Sequence, residues 1–252
     1  KEQSKRYETI DVNSATTMTA KTVGAEHIAL TQLKELSFDK ILEQCGFNKT
    51  QTEYAMAQVC ARLVHPSSER ETARWLRETS GLDELLRTDF SKITDFPLHQ
   101  TADLLLKHKD ELERRLAENS RDLFSLKETL ILYDLTNTYF ESSKPNSKIA
   151  AFGKSKEKRT DCPLLTLALV VDEQGFPKRS KIFEGNVSEP RTLWQILEKL
   201  GLEEKNNGDS ASKKTIVIDA GIATDDYLRR IRHAVDFYYV PISRKKKFDR
   251  QM

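Results

Sequence analysis

Two apolar runs constrain the fold of this chain more than anything else in it. They are "TLILYD" at residues 129–134 and "KTIVID" at residues 214–219, each rich in strand-forming residues and each closing on an aspartate. An acid at the carboxyl end of a strand lies where open α/β sheets bind their ligands. The two aspartates are 219 − 134 = 85 residues apart, so only a sheet that sets the two strands side by side can join them. Separately, each is a turn or capping acid of the ordinary kind. Together, in the element order that surrounds them, they read as two parts of one site.

That order is strand, hairpin, helix, strand, helix, strand. "CPLLTLALVVD" and "FPKRSKIFEG" are strand-like and meet at the short turn "DEQG", which predicts an antiparallel hairpin. "SEPRTLWQILEKLG" follows as a helix, with Ser188 suited to the N-cap, Pro190 to the first turn and Gly201 to the stop. "TDDYLRRIRHA" is a second helix, between "KTIVIDAG" and the last strand, "VDFYYVPIS".

Upstream the texture is different. Residues 1–24 show no sustained period and are expected to form a mobile arm, followed by a helical region over 25–128 and a strand-and-helix core over 129–252. In "YAMAQVCARLV" the spacing of Met56, Val59, Cys60, Leu63 and Val64 predicts a buried helical stripe, stopped by His65-Pro66. "SERE" from Ser68 reads as a capping box for a helix that Gly81 ends. "TADLLLKHKDELERRLAEN" reads as one charged amphipathic helix with Leu105, Leu112 and Leu116 inward. Trp75, Trp194, Tyr133 and Tyr139 are expected in the core.

Composition excludes several classes. The 252 residues carry 41 Lys and Arg against 39 Asp and Glu, so partners are sought in local charge runs and not in the net charge of +2. Three widely spaced cysteines without a CxxC pair argue against zinc and for free thiols in a reducing compartment. The longest apolar run, "PLLTLALVV", is too short to cross a bilayer, which takes about 20 residues. The densest basic run, "KPNSKIAAFGKSKEKR", holds Lys154, Lys156, Lys158 and Arg159 and leaves from the strand that carries Asp134. It is either a solvated loop or a surface that contacts phosphates.

The blocks "YDLTNTYFES", "FGKSKEKRTDCP", "LALVVDEQGFPKRSKIFEGNVSEPRTL", "IVIDAGIATDDYL" and "FYYVPISRKKK" together resemble DDE-type insertion-sequence transposases, as does "ARLVHPSSERETARWLRE" in the helical part. The resemblance extends over roughly residues 25–252. It implies an α/β fold, with a helical N-terminal region followed by an incomplete ribonuclease H-like mixed sheet flanked by helices. It implies a bacterial, cytoplasmic, nucleoid-associated enzyme that cuts and joins double-stranded DNA at element ends and target, acting as a homo-oligomer. Asp134 and Asp219 are then the first two catalytic acids and ligands of Mg²⁺ or Mn²⁺, with Lys154, Lys156, Lys158 and Arg159 on the DNA. The family's third acid, a Glu on a helix beyond the fifth strand, has no counterpart, which implies truncation before it and weak or absent activity of this chain. Glu141, Glu184, Asp225 and Asp226 are the substitutes within reach. Asp225 and Asp226 read as first-turn acids behind Thr224, and Glu184 lies at a turn.

Two other readings stay open on the residues. "DLTNT" after an apolar strand also resembles the nucleophile loop of haloacid-dehalogenase-type phosphoaspartyl hydrolases, whose strands are parallel. An inert DNA-binding or regulatory fragment is the other. Strand direction discriminates the hydrolase.

Overall fold

The computed structural model describes residues 9, 11–12, 20–124, 126, 130–141, 147–153, 161–187, 192, 195–196, 214–219, 229 and 237–242. The chain divides into two compact units, Lys1–His108 and Lys109–Met252.

The first unit is helical, with α1 (Gly24–Glu35), α2 (Phe38–Gln44), α3 (Lys49–Val64), α4 (Glu69–Glu78), α5 (Leu82–Leu86) and α6 (Asp95–Lys107). Helix α3 packs against α1, α2 and α6. Its buried residues include Ala55, Met56, Ala57, Cys60 and Ala61, whereas Leu63, expected inside, is 64% exposed. The alanines are the reason: small side chains let neighbouring helices approach on several sides, so burial follows them and departs from the single stripe.

A full capping box starts α3. Asn48 Oδ1 accepts from the Gln51 backbone N–H and Gln51 Oε1 accepts from the Asn48 N–H, both at 3.0 Å. The expected box at Ser68 is half made. Ser68 Oγ accepts from the Glu71 N–H at 3.3 Å, but the Glu71 carboxylate binds Arg74 instead of turning back. Asn48→Ala is therefore expected to destabilise the first unit by about 1 kcal/mol. Chemical denaturation measures this, and an unchanged midpoint would show the cap to be idle.

Helix α4 ends at Glu78, and Gly81 is the N-cap of α5 instead of the stop of α4. Of the arm expected over residues 1–24, residues 1–8, 10 and 13–19 lie outside the described residues. Thr22 is tied down, its N–H donating to Thr79 O at 2.8 Å and its carbonyl accepting from the Gly81 N–H at 2.7 Å. The long helix expected over 101–119 is two helices. α6 ends at His108, and α7 (Lys109–Phe124) begins the second unit.

The second unit holds β1 (Leu130–Tyr139), β2 (Leu164–Asp172), β3 (Pro177–Glu184), β4 (Lys214–Asp219) and β5 (Phe237–Ile242), in the sheet order β3-β2-β1-β4-β5. β1, β2 and β3 are antiparallel in succession, and β4 and β5 run parallel to β1. This is the mixed ribonuclease H-like sheet, preceded by helices. A wholly parallel sheet, as the hydrolase reading requires, is absent from the described strands.

The hairpin forms where "DEQG" lies. Asp172 Oδ1 accepts from the N–H groups of Gln174 and Phe176 at 3.0 and 2.9 Å, and Gly175 takes φ +89°, which costs a glycine little. β2 alternates strictly between buried and half-buried positions. Its buried face carries Leu164, Thr166, Ala168 and Val170, and β1 adds Tyr133 and Leu135. Polar groups on that face are paired, Tyr133 Oη donating to Thr192 Oγ1 at 2.7 Å and Asn137 Nδ2 to Thr166 Oγ1 at 3.0 Å. At the other border α7 packs on β3, where Glu113 accepts from both the N–H and the hydroxyl of Ser180 and Lys109 Nζ donates to its carbonyl at 2.5 Å.

Candidate functional site

The register of β1 and β4 bears on how the two aspartates relate. β1 and β4 pair at Leu130–Thr215, Ile131–Ile216 and Leu132–Val217, a constant offset of 215 − 130 = 85 residues. Continued two residues past the last pair, the same offset would set Asp219 level with Asp134.

The β1–β4 pairing stops at Leu132–Val217, short of the acids. Beyond it β1 stays with β2 as far as Tyr139, and β4 stays with β5 as far as Asp219. The sheet therefore parts between β1 and β4 at the level of the two acids. The chain leaves β1 toward β2 and leaves β4 toward β5, in opposite directions, so this is a point where the winding of the sheet reverses. Ligands of α/β sheets bind in such crevices.

Asp134 is exposed, between the buried Tyr133 and Leu135. Alternation accounts for this, since the neighbours point into the core and Asp134 to the opposite face. The row that carries it continues through Leu169 to Ser180, where α7 holds the edge of the sheet. Asp219 is described by its backbone, as the last residue of β4.

Asp134 differs from expectation in one respect. It stands inside β1 and not at its end, because the strand runs 139 − 134 = 5 residues further. Thr136, Asn137 and Thr138 read as polar turn residues but pair with Leu167, Thr166 and Leu165. Glu141 follows beyond that end, more than about 17 Å along the strand from Asp134 at about 3.3 Å per residue, and is no partner for it. Glu184 pairs with Leu165, which also pairs with Thr138, so it lies about 13 Å along the sheet from the Asp134 row. Lys154, Lys156, Lys158, Arg159, Trp194, Asp225 and Asp226 lie outside the described residues.

Two carboxylates brought to one level would repel each other unless a cation or a proton intervened. Oxygen donors of this kind suit Mg²⁺ or Mn²⁺, with water filling the remaining coordination positions. Among the described residues no group of three His, Cys, Asp or Glu side chains is placed to hold a metal. Cys60 offers no alternative chemistry. Cys60 is fully buried, and burial, reinforced by Glu26, pushes its thiol up to about 11, so it stays protonated and unreactive. His65 stacks on Trp75 with ring centroids 5.3 Å apart, in the first unit. No described helix is long and apolar enough to cross a membrane.

Sequence reasoning missed a short extra rung on the second unit. Ala151 bridges to Leu164 through N–H···O contacts of 3.1 and 2.9 Å, and Gly153 and Gly185 approach each other closely. The signal was two glycines in segments that read as loop and turn.

No family model and no curated protein matches the chain. Among solved structures it is similar to the Mos1 transposase paired-end complex with left transposon end, at 11% identity and TM-score 0.33, over 76% of this chain and 59% of that one. It is similar to the piggyBac transposase synaptic complex with hairpin DNA, at 11% identity and TM-score 0.34, over 77% of this chain and 42% of that one. The Mos1 strand transfer complex aligns at 10% identity and TM-score 0.31, over 75% and 58% of the two chains. The chain thus spans about half the length of the structures it matches.

Proposed function

We propose that this chain is the DNA-processing part of an insertion-element transposase of the DDE type, working as a homo-oligomer on double-stranded DNA in the bacterial cytoplasm, at the nucleoid. The observation that carries the reading is the constant 85-residue offset between β1 and β4, which, carried two residues past the last pair, would bring Asp134 and Asp219 to one level. The successive sequence blocks of the second unit support it independently.

In this reading Asp134 and Asp219 would hold Mg²⁺ or Mn²⁺. Bound there, the ions lower the pKa of water or of a 3′-hydroxyl and draw charge from the phosphodiester. The aspartates would supply the negative charge that keeps a cation there. The parent reaction is hydrolysis at the element ends, followed by attack of the freed 3′-hydroxyl on target DNA. Lys154, Lys156, Lys158 and Arg159 neutralise phosphates of the incoming duplex and give register without reading bases.

Binding of labelled duplexes across a salt series tests this. Each phosphate contact contributes about 0.9 to the slope of log affinity against log salt, so alanine at all four positions is expected to flatten the slope by roughly 3 to 4 and to weaken every sequence alike. A wild-type chain that binds no duplex, or a variant with an unchanged slope, overturns the assignment of this run.

A further inference from the structure

One aromatic residue in the second unit is placed as a structural need would not place it. Phe152 is 64% exposed, yet the backbone on both sides of it is held tightly. On one side Ala151 exchanges two backbone hydrogen bonds with Leu164, at 3.1 and 2.9 Å. On the other, Gly153 lies so close to the turn after β3 that a Cβ added to it would meet Gly185 O at 2.7 Å. A large apolar side chain is thus presented to solvent from a rigid base. The surrounding sequence names the kind of partner. Residues 144–159 carry Lys144, Lys148, Lys154, Lys156, Lys158 and Arg159 against the single acid Glu157. Such charge recruits a polyanion, and an aromatic residue within a cationic stretch of sequence suits the one polyanion that also offers flat apolar faces, a nucleic acid with exposed bases.

We propose that Phe152 is a stacking residue for an unpaired base of the DNA. The assignment rests on the transposase reading and adds a contact to it, remote from the two aspartates. Leu164 pairs with Tyr139 at the far end of β1, about 17 Å along the strand from Asp134 at about 3.3 Å per residue. A base stacked there belongs to DNA flanking the reacting phosphate. Stacking needs a flat π-face and no counter-charge, so Phe152 contributes to affinity without contributing to its salt dependence.

The test is fluorescence anisotropy with the full chain and two labelled probes, a blunt duplex and the same duplex with a single-stranded flank, each across a salt series. The wild type is expected to favour the flanked probe. Phe152→Ala is expected to weaken binding to that probe roughly tenfold, to leave the blunt duplex unchanged and to leave both salt slopes unchanged. Phe152→Trp should retain the preference and Phe152→Leu should lose it, since leucine keeps apolar bulk without a π-face. The side chain is exposed, so all three variants should melt with the wild type. Equal loss on both probes, no loss on the flanked probe, or a Leu variant that matches the wild type overturns the stacking role. A wild-type chain that binds neither probe overturns instead the transposase reading on which the role depends.

Discussion

Asp134→Asn and Asp219→Asn are each expected to abolish most of the thermal stabilisation that Mn²⁺ gives the wild-type chain. A cation that binds the folded state alone stabilises it by RT ln(1 + [L]/Kd), about 2.7 kcal/mol at a hundredfold excess over Kd. For a unit of this size, that is a rise in melting temperature of roughly 5–10 °C. Each asparagine replaces a charged oxygen ligand by a neutral amide, so affinity falls and the rise shrinks. Without metal the sign reverses. Two carboxylates sharing the proposed site would repel each other, and removing one charge removes that repulsion. The melting curves should therefore cross, the variants starting slightly higher and responding less to Mn²⁺. Differential scanning calorimetry over a Mn²⁺ series measures both halves. A variant whose melting temperature climbs as steeply as the wild type's would remove that aspartate from the site.

Gly185→Ala is expected to destabilise the second unit by about 3 kcal/mol or more, the upper range for overpacking. A Cβ at Gly185 would lie 2.2 Å from Leu164 O and 2.5 Å from Ala151 O, both backbone atoms that cannot rotate aside. Relief requires opening the Ala151–Leu164 bridge, at a further cost of about 1 kcal/mol for each of its two hydrogen bonds. Gly175→Ala is the control. It sits at φ +89° with nothing within 4 Å of an added Cβ, so only backbone strain of about 1–2 kcal/mol applies. Equilibrium unfolding in urea should rank Gly185→Ala well below Gly175→Ala. Equal midpoints would mean that the close approach at Gly185 relaxes freely.

The strands were legible in the sequence because each apolar run is bounded by turn residues, and the hairpin because "DEQG" carries its own turn chemistry. The full length of β1 was not. Thr136, Asn137 and Thr138 suit a turn or a half-exposed strand equally well, and only their pairing with Leu167, Thr166 and Leu165 decides it. The break at His108 was hidden for a similar reason, since the apolar period runs on through it. There the His108 ring meets Phe47 edge-on at 5.6 Å, a contact that periodicity cannot foresee. Both aspartates stood out as acids closing apolar runs, but the register of the strands that carry them did not. Parallel register is set by side-chain packing along the whole strand, and no local pattern encodes the offset of 85. The rung at Ala151 was invisible because it depends on two glycines 185 − 153 = 32 residues apart.

Ser180 gives the sheet a polarity of assembly. β3 is an edge of the described sheet, and an uncovered edge is a template on which another chain can add a strand. Glu113 and Lys109 of α7 occupy the outward N–H and C=O of Ser180, so the template is already read by the chain's own helix. A second molecule, or an unfolded neighbour on a crowded ribosome, finds no ladder to extend at that rung. Protection of that rung is thus written into two charged residues of a helix, at the far border from the crevice between β1 and β4.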